Sequence, residues 1–205
     1  MADLSTRLRQ FVAAQTALAE AAMQRAYRDG VEQACEELAD AEVDDDYECP
    51  DWHELYVADG EARRKLVIWF LPALTKMASE LRTLWTDYQS RRRQLQHEGA
   101  PPAALAALDA RYQRLIRARL SDVERRLRLL IDGLLWSASE LGYGAAVTRA
   151  GRRLYWNLDP AAEHCEDCPA LAAGSPYRSV AEIGGTPGSG VSKCGARCRC
   201  YLTWM

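Results

Sequence analysis

No stretch of this chain is apolar enough, for long enough, to cross a membrane. The richest run, Leu66-Val67-Ile68-Trp69-Phe70-Leu71, stops at Pro72 with Lys76 just beyond, well short of the roughly twenty residues a spanning helix needs. It reads as buried helix core. An apolar leader is also missing: Met1-Ala2-Asp3-Leu4-Ser5 passes straight into an amphipathic pattern, which predicts synthesis in the cytosol, where thiols stay reduced. The chain has no glycine-rich phosphate loop, no nucleophile elbow and no His-Glu-x-x-His. Its three histidines, His53, His97 and His164, are far apart in sequence. These absences argue against an enzyme.

Positive charge is absent between Arg28 and Arg63, where acidic residues accumulate from Glu32 to Glu61. Basic residues crowd Arg91-Arg92-Arg93 and the span from Arg111 to Arg128, so a net charge of −3 conceals strong segregation. Such asymmetry marks either a partner surface or complementary faces within one bundle. The second reading is favoured, because the basic residues interleave with apolar helix positions. Asp44-Asp45-Asp46 offers at most a weak cation site, since acidic runs of this kind are normally solvated.

With 205 residues the chain can build one good core, or a helical domain with a small appendage. Leu8, Phe11, Val12, Leu18, Ala22, Tyr27 and Val31 recur at helical spacing, predicting a first helix over about Leu4 to Ala41 with Asp3 or Ser5 as its cap. Gly30 should bend or weaken it. The acidic stretch from Val43 to Gly60 carries breaker signals and reads as a loop with a helical turn near Trp52 to Tyr56. A second helix is expected from about Glu61 to His97, kinked or divided at Pro72. After Gly99-Ala100-Pro101-Pro102, a third traces Leu105, Leu108, Tyr112, Leu115, Ile116, Leu120, Val123, Leu127, Leu130, Ile131, Leu134 and Leu135, with Gly142-Tyr143-Gly144 as its end. Its near-heptad rhythm slips once, between Leu115 and Leu120, which fits an antiparallel bundle better than an unbroken coiled coil. From Arg152 the period changes to two: Leu154, Trp156 and Leu158 alternate with Arg153, Tyr155 and Asn157, a strand pattern. A short helical piece over Pro169 to Ala173 and a last strand from Arg197 to Trp204 complete the reading. The expected fold is mainly α: an antiparallel bundle of long helices over residues 1–150, with its acidic loop at about 43–60, and a small β-containing, cysteine-rich tip over 151–205.

Five of the seven cysteines lie in the last forty-one residues. Cys165 and Cys168 form a Cys-x-x-Cys knuckle whose sulfurs converge on one point, and Cys194, Cys198 and Cys200 follow about twenty-five residues later. A knuckle and a second cluster at that distance can close a tetrahedral zinc site. In a strand, Cys198 and Cys200 would point to one side, placing Cys165, Cys168, Cys198 and Cys200 around one ion. Cys194 could replace either member of a pair, and His164 is a further candidate. Spacing and compartment favour structural zinc over disulfides or free thiols. A full four-ligand set leaves no open coordination position, as in structural rather than catalytic sites. So small a unit buries too little apolar area to fold alone, and the metal would supply much of its folding free energy.

These residues carry a resemblance. Trp156, Asp159, the run His164-Cys165-Glu166-Asp167-Cys168-Pro169-Ala170-Leu171, then Ser175-Pro176-Tyr177, Pro187-Gly188, Cys194 and Cys198-Arg199-Cys200-Tyr201-Leu202 resemble the C-terminal signature of tailed-phage head-morphogenesis (minor capsid) proteins, including the phage Mu F-like group. The match spans about Trp156 to Leu202, under a quarter of the chain. Many members place a His-Pro pair before Cys-Arg-Cys, where this chain has Cys194-Gly195-Ala196-Arg197. The resemblance implies a non-enzymatic virion structural protein, assembled in the host cytoplasm. Its partners would be capsid, portal or connector proteins, or further copies of itself.

A zinc-dependent nucleic-acid-binding module is the alternative, since Arg178, Lys193, Arg197 and Arg199 with Tyr177, Tyr201 and Trp204 supply charge and stacking surfaces. Against it, the segment from Arg149 onward carries seven Lys/Arg and five Asp/Glu and is only mildly basic.

Overall fold

A computed structural model describes residues 2–41, 48–60, 64, 68 and 70–205. Residues 43–47 of the expected acidic loop, with Asp44-Asp45-Asp46, lie outside the described residues, as do 61–63, 65–67 and 69 at the expected start of the second helix. The elements in chain order are α1 (Ala2–Asp40), α2 (Trp52–Asp59), α3 (Leu71–His97), α4 (Pro102–Arg149), β1 (Leu154–Asn157), α5 (Asp167–Ala173), α6 (Val180–Ile183), a 3-10 turn (Gly195–Arg197) and β2 (Tyr201–Trp204). The mainly α architecture with a small two-stranded sheet matches the expected class.

Several boundaries differ from expectation. Helix α1 begins at Ala2, so neither Asp3 nor Ser5 precedes it as a cap. Pro72 is not among these differences: it takes one of its two expected roles, in the first turn of α3, where its missing N–H would have no partner in any case. Helix α4 does not stop at Gly142-Tyr143-Gly144 but runs on to Arg149. The last strand starts at Tyr201 rather than Arg197.

The chain forms two compact units, Met1–Thr16 with Trp69–Arg128 and Ala17–Ile68 with Leu129–Met205. The cysteine-rich segment, set apart from residue 151 in the sequence reading, shares a unit with the C-terminal part of α4.

In the first unit, α3 and the N-terminal part of α4 pack antiparallel. Tyr88 Oη donates to Asp109 at 2.7 Å, Tyr112 Oη donates to Asp87, and Arg119 pairs with Glu80 at 3.4 Å, so the partners run in opposite directions along the two helices. Leu74, Met77, Tyr112 and Val123 are buried. Leu115 and Leu120, expected on the apolar face, are instead 42 % and 47 % exposed. The arginines between Arg119 and Arg128 that form ion pairs find acids within this unit, Asp122, Glu124 and Glu80.

The second unit is built on a helix crossing. Met23, Tyr27, Val31, Ala34 and Leu38 form the buried stripe of α1, and Leu134, Ala138 and Leu141 that of α4. The spacings of three and four put each set on one face. Two glycines permit the close approach: a Cβ at Gly30 would clash with the Ser139 carbonyl, and one at Gly142 with the Tyr27 carbonyl. Glycine here is a packing surface within a helix, not a break in one. A disulfide joins Cys35 of α1 to Cys49, ahead of α2, and Tyr27 stacks edge-on against Tyr56 of α2 at 5.2 Å.

Candidate metal centre

A short antiparallel ribbon frames the cysteine cluster. Leu154 pairs with Trp204 and Trp156 with Leu202. The buried side chains Leu154, Trp156 and Leu202 alternate with more exposed ones, as the period of two requires. The backbone groups of Leu154 also bond those of Tyr177 at 2.9 and 2.8 Å, which ties in the loop after α5.

Helix α4 supplies the surface on which this segment rests. Gly133, Trp136, Ser137, Glu140 and Gly144 fall at intervals of three and four, on one face of the helix. Trp136 Nε1 donates to the Cys200 carbonyl at 3.0 Å, Ser137 Oγ lies 2.8 Å from Thr186 Oγ1, and Glu140 Oε2 accepts the Leu202 N–H at 2.6 Å. Gly133 lies directly against Ala196, and Gly144 against Val180 and Leu154. Sequence reading missed this face. Its signal was available: small and polar residues interrupt an apolar helix at helical spacing.

The cluster forms around Cys168, which is fully buried. Its Sγ lies 3.6 Å from Cys165 Sγ, 3.7 Å from Cys194 Sγ and 3.9 Å from Cys198 Sγ. Four thiolates bound tetrahedrally at a zinc–sulfur distance of about 2.3 Å sit about 3.8 Å apart along each edge. The three separations from Cys168 bracket that value, and Cys165, Cys168 and Cys194 lie close to one another, so these three could hold a metal ion with Cys198 adjoining through Cys168. Cys198, in extended backbone, and Cys200 lie outside β2, yet both are buried while Arg197 and Arg199 are exposed. The expected alternation therefore survives without strand pairing. Cys200 approaches His164, its Sγ 3.6 Å from His164 Nδ1. All five cysteines expected as ligands thus converge, and His164 joins them. Two sets of three close donors result, Cys165 with Cys168 and Cys194, and His164 with Cys168 and Cys200.

Local structure orients the sulfurs. Backbone N–H groups of Asp167 and Cys168 point at the Cys165 sulfur, as the turn into α5 demands. The Cys165 N–H in turn donates to Cys194 Sγ at 3.4 Å. Asp167 Oδ2 accepts the Lys193 N–H at 2.8 Å, and Lys193 Nζ pairs with Glu166, which holds the second cluster against the knuckle. Burial opposes ionisation of Cys165, but hydrogen bonds from the Cys194 thiol and the knuckle N–H groups outweigh it and bring that thiol down to about 6. Burial pushes Cys168 and Cys194 up, and pushes Cys200 to about 11 with the neighbouring Cys198 adding to the rise. Without a metal, most of the cluster holds its protons at neutral pH, so metal binding must release them.

Beside the cluster, Leu129, Asp132, Trp136, Asp159, Arg197, Arg199 and Tyr201 are among the residues lining a cleft of about 860 Å³. Among the described residues no helix is long and apolar enough to cross a membrane. In comparisons with known proteins, no family model, no curated protein and no solved structure matches the chain.

Proposed function

We propose that the protein is a non-enzymatic structural component of a phage virion, of the minor capsid or head-morphogenesis type. Its C-terminal segment is held by structural zinc and docks onto a capsid, portal or connector partner. The observation that carries this reading is the convergence of the resembling residues: Trp156 lies buried in the ribbon, the Asp159 carbonyl meets the His164 ring, and Cys165, Cys168, Cys194, Cys198 and Cys200 meet around one sulfur. Zinc suits a thiolate-rich site with these sulfur separations. A metal-stapled segment seated on α4 is a rigid surface, and rigidity lowers the entropic cost of docking.

The deciding experiment sediments particles from producing cells and follows this chain by mass spectrometry. Stoichiometric presence in filled heads is the expected result. Recovery only from empty precursors would make it an assembly factor, and absence from every particle fraction would overturn the proposal.

A second reading, a nucleic-acid-binding module, draws on the cleft. Arg197 and Arg199 are exposed there beside Trp136 and Tyr201, which are 39 % and 37 % exposed, a combination of charge and stacking surface. Asp132 and Asp159 on the same lining weigh against it. DNA affinity that falls steeply with salt would support this reading, and no binding at low salt would remove it.

A further inference from the structure

We infer that the cluster holds two metal ions, with the Cys168 thiolate shared between them and His164 ligating the second. This rests on the reading of the cluster as a metal centre and extends it from one ion to two.

The first observation is a surplus of donors. A tetrahedral ion takes four ligands, but five thiols and an imidazole meet here. The two close sets of three have a single residue in common, Cys168, while Cys165 with Cys194 lies in one set and His164 with Cys200 in the other. A single ion at Cys165, Cys168 and Cys194 leaves the fully buried Cys200 and the ring of His164 facing each other unused.

His164 provides the second observation. Its Nε2 lies 2.8 Å from the backbone carbonyl oxygen of Asp159. A carbonyl oxygen only accepts, so Nε2 carries the proton and Nδ1 presents its lone pair. Metal-bound histidines are oriented in this way, with the distal N–H held by a carbonyl and the other nitrogen free for the ion. Nδ1 lies 3.6 Å from Cys200 Sγ. With metal bonds of about 2.3 Å to sulfur and about 2.1 Å to nitrogen, the tetrahedral separation of such a pair is about 3.6 Å. The His164–Cys200 pair therefore has ligand spacing, as do the sulfur pairs on the other side of Cys168.

Charge points the same way. One dication among four thiolates leaves two net negative charges in a largely buried site. Two dications among five thiolates and a neutral imidazole leave one, and buried net charge is costly. Counting Cys168 at both ions, six donors make seven bonds. The ion at Cys165, Cys168 and Cys194 and the ion at Cys168, Cys200 and His164 take three bonds each from the two close sets, and Cys198, 3.9 Å from Cys168 Sγ, supplies the seventh. The ion that Cys198 does not join is one ligand short and is the one to leave first.

The test uses the full chain purified with zinc, then exchanged with cadmium-113. The expected result is two ions per chain by elemental analysis, lost in two steps to a chelator, and two cadmium resonances coupled through a common sulfur. H164A and C200S should each bring the count from two to one with helical circular dichroism retained, and Cys168→Ser should lose both. One ion per chain, unchanged by H164A, would overturn the second site and leave the single metal centre standing. Two ions per chain with no loss in H164A would overturn the assignment of His164. No bound metal would overturn both readings. The cadmium spectrum of the unmodified chain decides the question even where a cysteine variant fails to fold.

Discussion

Glu140 Oε2 accepts the backbone N–H of Leu202 at 2.6 Å, a bond across 62 positions of sequence that ties α4 to the last strand of the chain. Glu140 is 7 % exposed, and burial, reinforced by the nearby charge of Glu37, pushes its pKa from the ordinary 4.5 up to about 8 against the pull of the Leu202 N–H. A buried acid serves here as a backbone acceptor. Tyr143, one turn on, donates to Glu37 Oε2 at 2.5 Å, which links α4 to α1.

Stability should therefore fall with rising pH through this window. The folded state holds the Glu140 proton more tightly than the unfolded chain, so its contribution is complete below about 4.5 and is lost as pH climbs through about 8. Glu140→Gln keeps an acceptor for Leu202 and removes the titration. Thermal unfolding of the variant should exceed that of the parent at pH 8 to 9, by an amount on the order of 1 kcal/mol or more, with the gap closing toward pH 5. Parallel pH profiles would show that Glu140 does not carry the effect.

Gly30→Ala tests the helix crossing. In an isolated helix the change would stabilise by about 1 kcal/mol. Here the new Cβ clashes with the Ser139 carbonyl, and backbone cannot swing aside as a side chain end can. A net loss of about 1–3 kcal/mol is expected from overpacking, read as a lower urea midpoint by circular dichroism. Gly142→Ala, against the Tyr27 carbonyl, should behave alike.

Loss of the proposed metal should expose the C-terminal segment. With Cys165→Ser and Cys168→Ser together, or with a strong chelator, amide protection should fall across Leu154–Asn157 and Tyr201–Trp204. The α4 face at Gly133, Ser137 and Gly144 loses its cover with them, while the α3–α4 hairpin holds its own Tyr88–Asp109 and Arg119–Glu80 pairs and should keep its protection. Hydrogen exchange read by mass spectrometry separates the two regions. Uniform exchange across the chain would contradict this division.

The Cys35–Cys49 disulfide closes a loop with a sequence separation of 14. A bridge over such a loop stabilises by about 3 kcal/mol through the entropy it removes from the unfolded chain. Replacing both cysteines with serine should lower the unfolding midpoint accordingly, and any metal content of the cluster should not change, since neither residue belongs to it. Denaturant melts paired with elemental analysis check both halves.

The amino-acid sequence alone determined that long helices form, the ends of the first near Asp40 and of the second at His97, the turn after Gly99, the strand beginning at Leu154 and the thiols that gather at the end of the chain. Each of these is written in local terms: periods of three to four or of two, proline and glycine punctuation, and the spacing of Cys-x-x-Cys. Tertiary structure decided what local pattern leaves open. Gly142 and Gly144 read as a helix end because glycine weakens any isolated helix. Only the Tyr27 carbonyl on one side and the packed Val180 and Leu154 on the other show them to be places of close approach. The pairing of Cys35 with Cys49, the seat of the cysteine segment on α4 and the turning of His164 toward Cys200 have the same origin. Periodicity states which side of an element seeks a neighbour, and packing alone states which neighbour it finds.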